Sequence, residues 1–260
     1  MTPEAPSPTD VPPTGELVLV GRVVPASNAT FVGEVDGVRV AYKPVAGERP
    51  LWDFPDGTLA AREIAAYRLS RATGWDVVPQ TWWGEGPHGP GMVQRWQEPD
   101  DDVAAVDLVP LGEVPDGFLA VFDGVGAGDR PVTLVHEDSL ALRRMALFDA
   151  VVNNADRKGG HVLAKADGRR YGVDHGLTFH EEPKLRTVLW GWQGDDLRPD
   201  EREVLERIAA DLTGALGDDL LELVTDEEVR ATRRRVERLL RTGVMPLPGD
   251  GWPVIPWPPF

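Results

Sequence analysis

Hydrophobic and polar positions follow two different periods along this chain. Segments 15–24, 30–35 and 38–42 alternate with the period of two that marks a half-buried strand. Asp36-Gly37 is a two-residue hairpin turn between the second and third of them. Segments 77–83 and 91–96 read as two more strands around a Gly/Pro-rich turn, completing a five-stranded sheet. Between the two groups, 59–73 is a helix capped by Asp56 or Thr58 and stopped by Gly74. Its inward stripe contains Ile64, Tyr67 and Leu69, with Glu63 beside it. An acidic loop at 98–107 leaves the sheet, and the irregular stretch 108–135 is assigned no element. The stripe Leu140, Met145, Leu147, Phe148, Val151 then predicts a core helix, capped by Asp138 or Glu137 and running to about 152. His161-Val162-Leu163 and Tyr171-Gly172-Val173 pair as a hairpin over Asp167-Gly168. A helix over 199–216 starts with Pro at its first position and acids in its first turn. Another over 225–240 carries a capping box at Thr225 and Glu228, with its arginines facing solvent. No repeat of 20–50 residues is visible.

Composition adds the ends of the chain and its surroundings. Residues 1–14 are rich in Pro, Ser and Thr and read as a disordered tail, whereas the Pro/Trp-rich 246–260 is expected to dock on the body. The body divides near residue 98, into 15–98 and 99–245. The chain has no cysteine, which excludes disulfides and thiolate metal sites, and no apolar run of about 20 residues for a membrane span. The start lacks the pattern of an export signal, so the expected location is the cytoplasm. A formal charge of −16 disfavours nucleic acid or an anionic membrane as a standing partner. Polyphosphate handled by such a chain needs a local positive site or a metal.

Only four of the 27 basic residues are lysines: Lys43, Lys158, Lys165 and Lys184. Lys43 ends a strand, where a lysine is either a surface terminus or a charged tip reaching phosphates; Glu63, 20 residues on, is either solvated or its ion-pair partner. The small polar loop 25–30 is either an ordinary turn or a phosphate cover presenting Ser27, Asn28 and Thr30. Polar chemistry concentrates most densely over 147–179. There Asp156, Lys158, His161 and Asp174 crowd around the mouths of one hairpin. Two carboxylates, a lysine and an imidazole in that setting suit a divalent metal and a phosphate.

DRKGGH followed by YGVDHG resembles the catalytic and metal loops of the atypical protein-kinase-like fold. The pattern is nearest the phosphatidylinositol 3-/4-kinase branch, with its D-R-x-x-x-N and I-D-(F or H)-G signatures. From about residue 20 to 215 the chain resembles the actinobacterial PI3/PI4-kinase-related family. The resemblance implies an α+β, bilobal protein-kinase-like fold, with an N-lobe of antiparallel sheet plus one helix and a mainly helical C-lobe. It also implies roles. Lys43 would hold the nucleotide phosphates with Glu63 as its partner, and Gln94 to Trp96 would form the hinge contacting adenine. Asp156 would be the catalytic carboxylate, Lys158 would neutralise the transferring phosphate, and Asp174 would be the main metal ligand. Two departures stand out: His161 replaces the family's second metal-binding Asn and favours Mn²⁺ over Mg²⁺, and the nucleotide loop lacks glycines.

The expected activity is transfer of phosphate from ATP, with Mg²⁺ or Mn²⁺, to a hydroxyl of a soluble small molecule or a protein. A catalytically inactive nucleotide-binding scaffold and AMP transfer by the same fold are the alternatives.

Overall fold

The computed structural model describes residues 11–23, 28–49, 51, 53–54, 59–100, 102–249 and 253–260. Strands β1 (Val18–Arg22), β2 (Phe31–Val35) and β3 (Val38–Pro44) form an antiparallel meander. Asp36 and Gly37 both take positive φ, 50° and 75°, as the tight turn between β2 and β3 requires. Helix α1 (Leu59–Thr73) follows, then β4 (Thr81–Gly86) and β5 (Gly89–Arg95), giving the sheet order β1-β2-β3-β5-β4. The five strands and one helix are those the alternation predicts. Strand β4 begins later than expected: the N–H groups of Val77 and Val78 both donate to Ser70 Oγ, and the Val77 carbonyl accepts from Gly172. That apolar run is a buried connection rather than strand.

Helix α1 is buried nearly all round. Its expected caps Asp56 and Thr58 fall outside the described residues. The Glu48 carboxylate accepts from the N–H groups of Leu59 and Ala60 at 3.0 and 2.8 Å, taking the capping role at the positive helix end. One face of the sheet carries a small apolar cluster of Leu17, Val35, Val40, Tyr42 and Val93. Met92 on the other face joins α1 in the main core, which continues into the helices that follow.

The stretch left unassigned at 108–135 belongs to a second antiparallel sheet. Strands β6 (Val106–Pro110), β7 (Phe118–Val125) and β8 (Pro131–Glu137) lie in the order β6-β8-β7. A bulge between Ala120 and Phe122 breaks the alternation of β7, which hides its period in the sequence. Helix α2 (Leu140–Val152) is capped by Ser139, whose hydroxyl accepts from Leu142 N–H, rather than by Asp138 or Glu137. It ends at Asn153 in the left-handed conformation, φ 56°. The hairpin β9 (Val162–Ala164) and β10 (Arg170–Gly172) is in place.

The helix read over 199–216 is two, α3 (Pro199–Asp211) and α4 (Ala215–Leu221), separated at Gly214. Helix α5 (Asp226–Thr242) has the reciprocal Thr225–Glu228 capping box. Arg235 departs from the solvent-facing reading of its arginines. It donates to the Val151 and His180 carbonyls, covering the C-terminal end of α2, where a cation is favoured. Arg143 of α2 reaches both oxygens of buried Glu201 on α3. The C-terminal segment docks, as expected of it: the Val254 carbonyl accepts from Thr187 N–H and Trp190 Nε1, at 3.0 and 2.9 Å. The described chain is thus a mixed α/β structure of antiparallel sheets and five helices. Among the described residues no helix is long and apolar enough to cross a membrane.

Candidate active site

Lys43 lies on β3 opposite Met92 of β5, with its neighbour Tyr42 packed into the apolar cluster on the other face. Strand alternation therefore sends the Lys43 side chain to the face covered by α1. There its ammonium lies 2.6 Å from Glu63 Oε1 and 2.7 Å from Asp174 Oδ1. Glu63 is buried, and its second oxygen accepts the backbone N–H of His175 at 2.9 Å. One glutamate thus ties α1 to both β3 and the loop after β10. Burial works against the charge on Lys43, but Asp174, and then Glu63, hold its pKa above the ordinary lysine value. Lys43 is likewise the largest influence on Asp174, holding its carboxyl well below the usual range against the effect of burial. Asp174 takes positive φ, 62°, a conformation aspartate tolerates better than most residues.

Around the hairpin mouth, Lys158 Nζ pairs with Asp156 Oδ2 at 3.3 Å, and the Asp156 N–H donates to Asn154 Oδ1. His161 joins the two halves. Its Nδ1 is 2.9 Å from the Asp156 backbone carbonyl and its Nε2 is 3.4 Å from Asp174 Oδ2. Burial pushes the His161 pKa down, opposed by Asp174. A carbonyl oxygen needs a donor, so in the neutral ring the proton is assigned to Nδ1. Nε2 then turns a bare lone pair toward a carboxylate oxygen. In that tautomer Nε2 and the carboxylate oxygen are two acceptors, which a cation between them would satisfy. Two ligand atoms bound to one divalent ion at about 2.1 Å and right angles stand roughly 3 Å apart, close to the spacing found here. An imidazole whose other nitrogen donates to a backbone carbonyl is also the usual arrangement of a metal-binding histidine. Asp174 and His161 therefore fit a divalent ion. Among the described residues no group of three or more His, Cys, Asp or Glu is placed to hold one; ions such as Mg²⁺ commonly complete their shell with water and phosphate oxygens.

Beneath this group lies a network that the sequence reading missed. Arg157 and Asp149 are fully buried and paired through two bonds of 2.8 Å. The remaining guanidinium donors go to the His161 and Val173 carbonyls and to His175 Nε2, so all five N–H groups of Arg157 are used. His175 is buried beside this cation; burial first, and then the charge of Arg157, hold its pKa well below the ordinary value. Asp149 also accepts from Asn154 Nδ2 at 3.0 Å. One signal was legible: Asp149 interrupts an otherwise apolar helical run, where a carboxylate requires a partner. Arg157 matches the Arg of the D-R-x-x-x-N signature, but in a chain that uses arginine almost everywhere nothing marked it as buried or as the partner of Asp149.

The structure brings Lys43, Glu63, Asp156, Lys158, His161 and Asp174 into one continuous chain of contacts. It joins neither Asn28, Gln94 nor Trp96 to that chain. The Asn28 side-chain oxygen accepts from Arg49 N–H, the Gln94 amide donates to Thr81 Oγ1, and the Trp96 indole donates to Glu98. Ser27 lies outside the described residues.

No protein-family model matches the chain. A crystal structure of a Helicobacter pylori proinflammatory kinase, CtkA, aligns with a TM-score of 0.46 at 10% identity, covering 90% of this chain and 94% of the other. At that distance the alignment assigns nothing to individual residues. Protein Rv2133c of Mycobacterium tuberculosis is far nearer, 48% identical over 263 residues that cover 95% of this chain and 93% of the relative. With that identity sustained over nearly the whole of both chains, the protein belongs to the family of Rv2133c.

Proposed function

We propose that the chain is an ATP-dependent, divalent-metal-dependent phosphotransferase with the bilobal architecture of the kinase-like fold, residues 15–98 and 99–245 forming the lobes. The observation that carries this reading is the Lys43 ammonium clasped between Glu63 and Asp174 at 2.6 and 2.7 Å, uniting segments 20 and 131 residues apart. Such a lysine is positioned by one carboxylate and aimed by the other, as a group that holds phosphate oxygens must be. Asp174 Oδ2 and His161 Nε2 would hold the metal, which when bound supplies charge neutralisation at the phosphates. Asp156, fixed by Asn154 and His161, orients the acceptor hydroxyl and receives its proton as the oxygen attacks phosphorus. Lys158, within 3.3 Å of Asp156, neutralises charge on the phosphoryl group in transfer. Because electrostatic positioning supplies most of the rate in this chemistry, a small set of fixed charges suffices. The charge of −16 favours a soluble small molecule or a protein hydroxyl as acceptor over an anionic lipid surface.

The test is calorimetric titration of ATP into wild type, Lys43→Met and Asp174→Ala in the presence of Mg²⁺ and of Mn²⁺, followed by identification of the nucleotide product. Wild type is expected to bind ATP only with metal and to release ADP, with at least tenfold weaker binding in both variants. Absence of binding with either ion overturns the reading. Release of AMP and pyrophosphate replaces it with adenylyl transfer.

A further inference from the structure

The C-terminal segment does more than cover apolar surface. The Gly159 N–H, three residues after Asp156, donates to the Pro259 carbonyl at 2.8 Å. The Phe260 ring occupies the space where a side chain at position 159 would lie, and Gly159 itself is buried. The same segment grips the neighbouring strand-like stretch, since the Val254 carbonyl accepts from Thr187 N–H at 3.0 Å. Thr187 in turn forms a parallel bridge with Arg157, through Arg157 N–H to the Arg186 carbonyl and Val188 N–H to the Arg157 carbonyl. The loop from Asp156 to Gly160 is thus held on the Arg157 side by the buried network and on the Gly159 side by the tail. Gly160 is exposed, with nothing near its missing side chain. Two adjacent glycines are the most freely rotating pair a backbone can contain. Besides the turn bonds from His161 N–H to the Lys158 carbonyl and from Val162 N–H to the Gly159 carbonyl, the tail is what ties this end of the loop, and with it Lys158 and Asp156, to another segment.

We propose that Pro259 and Phe260 are positioning residues of the site: the segment 254–260 is a strap that holds the Asp156–Lys158 loop in the geometry needed for transfer. The proposal rests on the phosphotransferase reading for its catalytic consequence, though not for the strap itself. The lack of a side chain at 159 and the ring at 260 are complementary halves of one contact, which gives the test its form.

Phe260→Ala, Gly159→Ala and the double variant are compared with wild type in the full chain. Hydrogen exchange over 156–161, ATP affinity with Mn²⁺ and the rate of ADP release are measured. Each single variant is expected to accelerate exchange over 156–161 and to lower the rate of ADP release roughly tenfold or more. ATP affinity, which depends on Lys43 and Asp174, stays within about twofold. The double variant is expected to be no worse than Phe260→Ala, because the added methyl then meets no ring. Unchanged exchange over 156–161 overturns the strap. Unchanged ADP release, or loss of ATP affinity in step with it, overturns its positioning role. Wild type that binds and turns over no ATP defeats the phosphotransferase reading, while the exchange data still decide the strap.

Discussion

Replacing Asp149 by asparagine tests whether the site stands on its buried ion pair. The substitution keeps size and shape, and removes the only carboxylate bonded to Arg157 among the described residues. Both side chains are 0% exposed, so water cannot take over the lost interaction. Three donors converge on Asp149: Nε and Nη2 of Arg157 at 2.8 Å each, and Nδ2 of Asn154 at 3.0 Å. An amide offers one oxygen in place of two and turns an NH₂ toward at least one of these donors. Removing one partner of a buried pair leaves an uncompensated charge and costs about 3–5 kcal/mol. For a chain of this size each kcal/mol moves the midpoint by about 2–4 °C, so Asp149→Asn should melt roughly 6–20 °C lower. The control is Glu237→Gln on α5, which breaks an exposed pair with Arg233 of 2.7 Å. Its expected shift is about 1–2 °C, in keeping with the small worth of exposed pairs. Thermal melts followed by circular dichroism, with urea titrations to check the free energies, provide the measurement. A shift for Asp149→Asn no larger than the control's would refute the reasoning, because the pair would then contribute no more than a solvated one.

Two further outcomes follow from single histidines. His136 is buried with Nδ1 donating to the Glu137 carbonyl and Nε2 accepting from Gly191 N–H at 2.9 Å, an arrangement only the neutral ring satisfies. Burial lowers its folded pKa, so below about pH 6.5 the unfolded chain binds a proton that the folded chain does not. Stability contributed here is present above that pH and falls as pH drops through it; a urea midpoint in wild type that is no lower at pH 5.5 than at 7.5, or an equal decline in His136→Gln, counts against this. At the site, His161→Asn exchanges an imidazole nitrogen for a harder oxygen donor and should shift the ion giving faster ADP release from Mn²⁺ toward Mg²⁺. An unaltered ratio of the two rates removes His161 from the metal.

Much of the scaffold was readable because its causes are local. The Asp36-Gly37 turn, the stripe of α2, the Thr225–Glu228 box and the β9–β10 hairpin each rest on residues a few positions apart. Their geometry follows from backbone sterics and burial period wherever they sit. The charged residues Lys43, Glu63, Asp156, Lys158 and Asp174 stood out by type and spacing in the same way. Folding decided what those charges meet. A carboxylate 131 residues from Lys43 becomes its partner only when β3 and the loop after β10 close on one another. Nothing local in the run Val77-Val78 states that its N–H groups belong to Ser70, and the bulge in β7 broke the alternation of one strand of the second sheet. Desolvation is equally nonlocal: Arg157 and Asp149 are costly charges or a fully satisfied pair depending on what surrounds them. The sequence by itself therefore determined the first sheet, helices α1, α2 and α5, the β9–β10 hairpin and where reactive groups concentrate. Only the tertiary structure decided that His161 sets its Nε2 3.4 Å from Asp174, and that the segment 254–260 closes over Gly159.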